Sequence, residues 1–274
     1  MRVNQLHPWP TSTAEAEAIQ ERLRLHVELT GPTSFTLVAG LDVHYHGEDD
    51  VAAAVVVLST TAATEDPTQG VAGDVTNGRT QAAAGRTSDG SAQAITRRTT
   101  DGAIAEGIAG DVAGDLVVVE RVVVRGKARF PYVPGLFAFR ELPALVEALE
   151  RLTVTPDLLV CDGYGLAHPR GFGLACHLGV LTGLPAIGVG KTHFVGTHDA
   201  PDPARGAWTP IELDGSTVGR ALRTQRNVKP VYVSQGHRIT LDTACAEVLR
   251  LSPYHRLPEP IRKADHLARH GDDL

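Results

Sequence analysis

The order and spacing of short β-rich apolar runs limit the possible fold of this chain more than any other sequence feature. Two runs, at 35–43 and 51–58, are separated by the polar turn HYHGEDD, which predicts a β-hairpin. A third run, at 116–125, alternates apolar and polar residues and predicts another strand. When residues 59–114 are left out, the three strands follow one another directly. This order predicts an antiparallel meander.

The second half of the chain alternates strands with helices. Buried strands are predicted at 157–163 and 185–190, with helices at 144–152 and near 170–182. Strands joined through helices usually run parallel to each other. We therefore predict one α/β domain over 1–274, with a mixed five-stranded sheet flanked by helices. Its antiparallel meander comes first and its parallel strands follow.

Residues 59–114 interrupt this pattern. The segment is rich in Ala, Gly, Thr and Asp, contains no aromatic residue and keeps no helical or strand period. Such a segment cannot bury enough apolar surface to offset the entropy lost on ordering. We interpret it as a low-complexity insertion. Because its net charge is negative, we expect it to project away from any surface that binds phosphates.

The overall composition excludes several classes of protein. A net charge of −6 is unlike that of a general nucleic-acid coat protein, although it leaves room for a local basic groove. Cys161, Cys176 and Cys245 are odd in number and lack CxxC spacing, which favours reduced thiols and a cytoplasmic location. The N-terminus lacks the apolar core of a signal peptide, and no apolar run approaches the ~20 residues of a membrane span. We expect no association with a membrane.

Acidic residues end two of the predicted strands. Asp42 ends the first strand and Asp162 ends the fourth. Ligand sites of open α/β sheets lie at such strand ends. If the two strands are neighbours, the carboxylates meet and suit Mg²⁺ or Mn²⁺, which could orient water against a phosphodiester. The alternative for each residue is a cap on a turn.

Three further residues could join this pair. Glu141 falls at the start of a helix, where it can point back to the sheet edge or interact with the helix dipole. In the last predicted helix, a rotation of about 100° per residue puts Asp265 about 40° and His266 about 140° from the inward-facing Ile261. This favours Asp265 as the inward group, with a solvated helix face as the alternative. Lys191 follows a buried strand and could reach a phosphate or a leaving oxygen, or could be solvated.

Together these motifs resemble endonuclease V, a nuclease family that recognises deaminated bases, especially inosine. The matching segments are AGLDV, FPYVPGLFAFRELP, PDLLVCDGYGLAHPRGFGLACHLGVLTGLPAIGVGKT and RLPEPIRKAD, in family order over most of 35–270. The resemblance implies a ribonuclease H-like fold, with Lys191 near the scissile phosphate. It implies Mg²⁺, with Mn²⁺ as a substitute, bound by Asp42, Glu141, Asp162 and Asp265. Some family members have histidine at the last position, so His266 stays open as that ligand.

The resemblance also implies a reaction. The family hydrolyses the second phosphodiester 3′ to the inosine, leaves a 3′-hydroxyl and a 5′-phosphate, and does not remove the base. We expect a monomer that acts on inosine-containing DNA or RNA, in DNA repair or inosine-RNA processing. The alternatives are a catalytically inactive inosine-RNA binding protein and another ribonuclease H-like, structure-specific nuclease.

The remaining motif residues are expected to bind the substrate. The resemblance puts a strand-separating wedge in the loop formed by Pro131, Tyr132, Val133, Pro134 and Gly135. A rigid aromatic side chain suits a wedge that fills the gap left by an everted base. The alternative is a tyrosine packed beneath a proline turn.

Two further groups of residues follow Asp162. Glycines at Gly163 and Gly165 would let backbone amides approach the inosine base, and Gly188 would line the same pocket. Their alternative is a tight turn. Arg170 could contact a phosphate. His168 could contact the substrate or hold its own loop through a hydrogen bond.

Overall fold

The computed structural model describes residues 1–60 and 116–271. The helices of this part are α1 (Thr13–Leu23), followed by a 3₁₀ turn (Arg24–His26), α2 (Ala138–Arg151), α3 (Leu174–Thr182), α4 (Leu241–Arg250) and α5 (Glu259–His270). Its strands are β1 (Leu37–Tyr45), β2 (Asp50–Ser59), β3 (Val117–Lys127), β4 (Leu158–Asp162), β5 (Ala186–Gly190), β6 (Trp208–Leu213), β7 (Ser216–Leu222) and β8 (Val231–His237).

All eight described strands form one mixed sheet in the order β3-β2-β1-β4-β5-β8-β7-β6. β1 pairs with β2 and β2 with β3 in antiparallel fashion, which is the predicted meander. β4 pairs in parallel with both β1 and β5, as predicted for strands joined through helices. The predicted α/β class, a mixed sheet flanked by helices, is confirmed.

The sheet extends beyond the predicted five strands. β8 pairs antiparallel with β5, and β7 and β6 continue the sheet outward. These three strands were not predicted, because the apolar run of β8 is short and those of β6 and β7 are interrupted by Pro210 and Gly219. Gly219 is required by packing, since a Cβ there would lie 2.6 Å from the carbonyl oxygen of Val233.

The sheet is covered on both faces, which explains why consecutive residues of β4, over 158–161, and all of β5 are buried and apolar. Side chains of β1 alternate between the two cores. Ala39 and Leu41 pack in the core that contains Leu145 of α2. Val38 packs in the opposite core with Ile261 of α5. This alternation places α2 and α5 on opposite faces of β1.

Gly40 sets how closely α5 approaches the sheet. A Cβ on Gly40 would lie 2.1 Å from both the carbonyl carbon and the carbonyl oxygen of Pro260, so a side chain cannot be accommodated. Pro260 lies in the first turn of α5, where a missing backbone N–H is tolerated. The contact presses the start of α5 onto β1. It thereby brings the inner face of this helix beside the end of β1.

Two predicted helix boundaries are corrected. α2 begins at Ala138 and not near 144, so Glu141 lies in its first turn and Pro143 lies within the helix. Leu142 and Leu145 are fully buried and hold α2 in place although Pro143 removes one backbone hydrogen bond. α3 begins at Leu174 and not near 170, because the preceding residues form a glycine-rich loop.

The described residues, 1–60 and 116–271, belong to one compact unit. The predicted insertion at 59–114 lies outside the described residues except for its first two positions. The prediction of a single domain with this insertion, and of its direction away from the site, therefore stays a prediction. No helix in the described part of the chain has the length and apolarity needed to cross a membrane.

Candidate active site

Four acidic side chains and one lysine, each from a different part of the fold, line one cavity of about 450 Å³ at the ends of the central strands. Leu41 of β1 is paired with Cys161 of β4, the last pair of this parallel ladder, so the next residues, Asp42 and Asp162, lie side by side. Asp162 ends β4, but Asp42 lies within β1, which continues to Tyr45 through its pairing with β2, so the prediction that Asp42 ends the first strand is corrected. The other residues of the group are Glu141 of α2, Lys191 after β5 and Asp265 of α5. The structure thus brings together all five residues that the sequence analysis selected. Their catalytic and metal-binding roles stay predictions.

Asp42 is at the centre of this group. Its carboxyl group hydrogen-bonds with the side chains of Asp162 and Asp265. Its Oδ1 also accepts a hydrogen bond of 2.8 Å from the backbone N–H of Val43. Burial, together with the negative charge of Asp162, raises the pKa of Asp42 to about 9. At neutral pH this carboxyl group is therefore protonated, and its single O–H donates to one neighbouring carboxyl group at a time.

Glu141 is held in a similarly unfavourable environment for a negative charge. Its side chain is buried at the sheet-facing side of α2. Burial and the charge of Asp162 raise the pKa of Glu141 to about 8, against the opposing effects of Arg140 and Lys191. Two of the four carboxyl groups are thus neutral near pH 7. The cavity therefore concentrates more carboxylate than its own positive charges can stabilise.

Lys191 forms an ion pair with Asp162 inside the cavity. Burial lowers the pKa of Lys191, but Asp162, Asp42 and Asp265 outweigh this effect, and the pKa lies above its ordinary value. The ammonium group is therefore charged at neutral pH. Its side chain is 38% exposed, so the group can also reach a ligand that enters the cavity.

α5 presents Asp265, and not His266, to the group. Asp265 hydrogen-bonds with Asp42 and receives hydrogen bonds of 2.9 Å from Nε and one Nη atom of Arg269. Burial acts to raise the pKa of Asp265, but the bonds from Arg269 and Asp42 and the charge of Lys191 lower it below its ordinary value. His266 is exposed, and its ring lies 4.7 Å from that of His270. The helical rotation expected from the sequence is confirmed.

The donor set fits a hard divalent cation by its chemistry. Carboxylate oxygens are the preferred ligands of Mg²⁺, and added positive charge would stabilise the ionised forms of Asp42 and Glu141. Within residues 1–60 and 116–271, however, no three His, Cys, Asp or Glu side chains are arranged as a ready metal site. Here the carboxylates are bound to each other, to Lys191 and to Arg269. An ion would have to replace a proton or one of these cationic partners.

The predicted wedge loop forms one wall of the cavity. Tyr132 is 71% exposed, and its ring meets that of Phe137 edge-on at 5.4 Å. Pro134 and Gly135 line the same cavity, whereas Val133 packs against the hydrophobic core and Pro131 lines a neighbouring cavity. The alternative of a tyrosine buried beneath a proline turn is wrong, because the ring projects into solvent.

Arg170 makes several hydrogen bonds within the protein, and its predicted phosphate contact stays a prediction. Its Nε donates to Oε1 of Gln20 at 2.6 Å, and its Nη atoms donate to Glu17 at 3.2 Å and to the carbonyl of Gly135 at 3.1 Å. Gly135 has a φ of 78°, a conformation that favours glycine. Because nearby acceptors occupy the guanidinium, Arg170 ties the wedge loop to α1.

His168 supports the same loop and also lines the cavity. Its Nδ1 accepts a hydrogen bond of 3.2 Å from the backbone N–H of Arg170. Burial and the charge of Arg170 lower the pKa of His168 to about 4, so the ring is neutral at pH 7. Of the two roles considered for this residue, the structure shows the loop hydrogen bond.

Of the three glycines expected at the cavity, Gly163 is there and the other two are not. Gly163 lines the cavity, as expected for a residue near a bound base. Gly165 and Gly188 lie against each other, and a Cβ on Gly188 would be 2.4 Å from the backbone nitrogen of Gly165. The N–H of Gly165 donates to Oγ of Ser234 at 2.8 Å and is not free for a ligand. These two glycines are therefore required by close packing of the loop after β4 against β5 and β8, and the structure does not place them on the cavity wall.

Among the cavity-lining residues that were not predicted, Tyr164, Phe194 and Arg269 offer aromatic rings or charge to a ligand. Tyr164 and Phe194 stack on each other with ring centroids 4.8 Å apart, and both face this cavity. Phe194 follows Lys191 by three residues, and this proximity in the sequence could have indicated that it lies near the site. Arg269 lies one helical turn after Asp265, a spacing that predicts an ion pair.

Comparisons with known proteins identify the family. The sequence model of the family Endonuclease V matches residues 75–266. Endonuclease V of Streptomyces coelicolor is 44% identical over 265 residues, which are 95% of this chain and 91% of that protein. The crystal structure of Endonuclease V from Streptomyces avermitilis has a TM-score of 0.73 and 42% identity, over 95% of this chain and 93% of that one.

A more distant structure shares the fold. Ciona intestinalis Endonuclease V, in complex with a DNA containing an inosine followed by a ribo-adenosine, has a TM-score of 0.65. It is 21% identical, over 93% of this chain and 95% of that one. The structural likeness confirms the ribonuclease H-like fold that the sequence motifs implied.

Proposed function

This chain belongs to the endonuclease V family and is an endonuclease, and we propose that it cuts inosine-containing nucleic acid in a Mg²⁺-dependent reaction. The cut falls at the second phosphodiester 3′ to the inosine and leaves a 3′-hydroxyl and a 5′-phosphate. One observation supports this most strongly. The buried carboxylates and the exposed Tyr132 line the same cavity, so a cutting centre and a strand-separating group lie side by side.

Four side chains would hold the ion: Asp42, Glu141, Asp162 and Asp265. Bound Mg²⁺ would supply a positive charge that stabilises charge developing on the phosphoryl oxygens and favours deprotonation of water. The raised pKa of Asp42 and of Glu141 supports this assignment, because a nearby cation would favour their ionised forms. Mn²⁺ would serve as a substitute, since it accepts the same oxygen ligands.

Lys191 contributes to catalysis through its charge. Its ammonium group is at the cavity wall and partly exposed, so it can bind a non-bridging oxygen of the scissile phosphate. On substrate binding the ammonium would shift from Asp162 toward the phosphate. That shift would leave the carboxylate of Asp162 available to the ion.

The rest of the cavity positions the substrate. Tyr132 enters the base stack and occupies the space of the everted inosine. Gly163 allows the base to approach the backbone closely, and the stacked pair of Tyr164 and Phe194 offers an aromatic surface beside it. Because the base and the carboxylates occupy fixed places, the distance from lesion to cut is fixed.

We also propose a role in DNA repair for a monomer in the cytoplasm. Family membership supports the repair role. The three cysteines are buried free thiols, in keeping with a reducing compartment. The same cavity would also receive inosine in RNA, and a direct comparison of DNA and RNA substrates tests whether RNA is cut.

The test uses an oligonucleotide with one inosine, prepared as DNA and as RNA, in Mg²⁺ and in EDTA. We expect one product in Mg²⁺, of the length set by the second 3′ phosphodiester, and none in EDTA. Ligation of the downstream fragment checks for the 5′-phosphate. Equal cutting of a guanine control, or full activity in EDTA, would refute the proposal.

A further inference from the structure

A second cavity, of about 590 Å³, lies on the other side of the wedge loop. It shares Tyr45, Tyr132 and Phe137 with the active-site cavity, but none of the four carboxylates or Lys191 line it. Tyr132 is thus a wall of both cavities. A side chain that separates two strands would have one strand on each side of it, so the two cavities together offer a place for each strand.

The walls of the second cavity are aromatic. The ring of Phe137 lies 5.7 Å from that of Tyr45 and 5.4 Å from that of Tyr132, and Phe130 adds a further ring. Nucleobases stack on such surfaces. The volume is also within the range of about 300–1,000 Å³ that is typical of ligand pockets. A single unstacked base therefore fits this cavity by size and by the character of its walls.

The cavity is rigidly built, and Arg140 is the residue that holds it. Its buried guanidinium donates to the carbonyl oxygens of Phe130 at 2.7 Å and Glu48 at 2.8 Å, and to Oδ1 of Asp49 at 3.2 Å. It also lies over the ring of Tyr45, 5.3 Å from its centroid. These bonds fasten the β1–β2 turn to the segment that leads into the wedge loop. Arg140 therefore fixes the separation between the two walls of the cavity, the β1–β2 turn and the segment before the wedge loop.

Two charged side chains at this cavity remain available to a ligand. The carboxylate of Glu48 and the guanidinium of Arg129 make no hydrogen bond or ion pair with other residues of 1–60 and 116–271, and both are exposed. A carboxylate accepts a hydrogen bond from an exocyclic amine, as found on cytosine or adenine. A guanidinium binds a backbone phosphate. This pair of charges therefore matches a nucleotide with an amino-bearing base.

We propose that the second cavity receives the base opposite the lesion, displaced from the duplex by Tyr132. The ring stacks against Phe137 and Tyr45, Glu48 accepts a hydrogen bond from its exocyclic amine, and Arg129 binds a phosphate of that strand. The inference rests on the proposed function, because it needs an inosine-containing duplex as the substrate. It adds that the protein also reads the undamaged strand.

The test compares four substrates that contain the same inosine strand: duplexes with cytosine, thymine or an abasic site opposite inosine, and the single strand. Rates are measured at subsaturating concentrations for the wild type, Glu48→Ala and Arg129→Ala. Glu150→Ala is the matched control, since this exposed carboxylate lies ten residues after Arg140 on α2, about 15 Å along the helix.

Glu48→Ala should lower the ratio of the cytosine-duplex rate to the abasic-duplex rate about tenfold, as expected for loss of one hydrogen bond to a charged group. It should change the thymine-to-abasic ratio little, because thymine has no exocyclic amine. Arg129→Ala should lower the ratio of duplex to single-strand rates several-fold. Glu150→Ala should leave each ratio at its wild-type value.

If Glu48→Ala changes the rates on the cytosine, thymine and abasic duplexes equally, the inference is overturned. Cutting of these duplexes by the wild type would still support the proposed function. An effect that persists in full on the single strand would also overturn it, since the cavity would then bind a base of the lesion strand. If the wild type cuts none of the four substrates, the proposed function itself fails, and the inference falls with it.

Discussion

Replacement of Gly40 by alanine tests the contact that brings α5 to the active site. The new Cβ would lie 2.1 Å from the backbone of Pro260, whereas ordinary contact begins at 3.4 Å. The start of α5 would therefore have to retreat by about 1.3 Å, the difference between these distances. Neither group at this contact is a flexible side chain, so the strain cannot be relieved by a rotamer change.

The retreat would loosen a well-packed face. Ile261, Ala264, Leu267 and Ala268 of α5 are at most 2% exposed. A gap of about 1 Å forfeits up to about half of the dispersion energy of such contacts. Overpacking by one methyl group costs about 1–3 kcal/mol in other cores. We expect Gly40→Ala to lower the free energy of unfolding by at least about 2 kcal/mol.

The assay is urea denaturation, followed by the rate of cutting on an inosine oligonucleotide. The control is Gly126→Ala in β3, where an added Cβ meets nothing within 4 Å, and its effect should stay within about 0.5 kcal/mol. Gly40→Ala should also cut more slowly, because Asp265 is carried away from Asp42. Equal stability of the two variants would refute the packing argument.

Three further predictions concern the loop, the histidine and the metal. Arg170→Ala should lower the free energy of unfolding by about 1–2 kcal/mol and raise KM for inosine DNA, because the carbonyl of Gly135 and the side chain of Gln20 lose their donor. The control Arg151→Ala, at an exposed position, should change neither quantity. Identical KM values for Arg170→Ala and the wild type would contradict this role. The folded pKa of His168 of about 4 is below its unfolded value near 6.5, so its contribution to stability is complete above pH 6.5 and falls as the pH drops toward 4, by up to about 1.4 kcal/mol per pH unit. Urea titrations should show a weaker decline in His168→Gln, and an unchanged decline would exclude this group as the cause. Mg²⁺ should raise the melting temperature of the wild type but not of Asp42→Asn, and a matching rise in both would place the ion elsewhere.

Much of the site was predictable because its residues occupy positions defined by regular structure. Asp162 ends β4, and Asp42 lies beside it in β1, directly after the last residue pair of the parallel β1–β4 ladder. Asp265 follows from the helical rotation relative to Ile261, which is fully buried. In each case a local period sets the direction of the side chain. The topology then brings the side chains together.

Other features could not be read from the sequence, because their partners are distant along the chain. Arg170 meets Gln20, which lies 150 residues earlier, so its acceptors are visible only in the fold. Gly165 and Gly188 are required by close backbone packing, but in a sequence this requirement looks the same as a need for space beside a ligand. The bounds of α2 were misjudged because Pro143 suggested a start close to itself.

The most direct test of the central claim is substitution of Asp162 by asparagine, which removes one charge at nearly constant volume. Binding and cutting of the same inosine oligonucleotide are measured side by side in Mg²⁺. We expect the variant to bind the oligonucleotide with an affinity close to that of the wild type and to lose at least about 100-fold in cutting rate. Cutting at the wild-type rate would remove Asp162 from the reaction and contradict the proposed carboxylate centre.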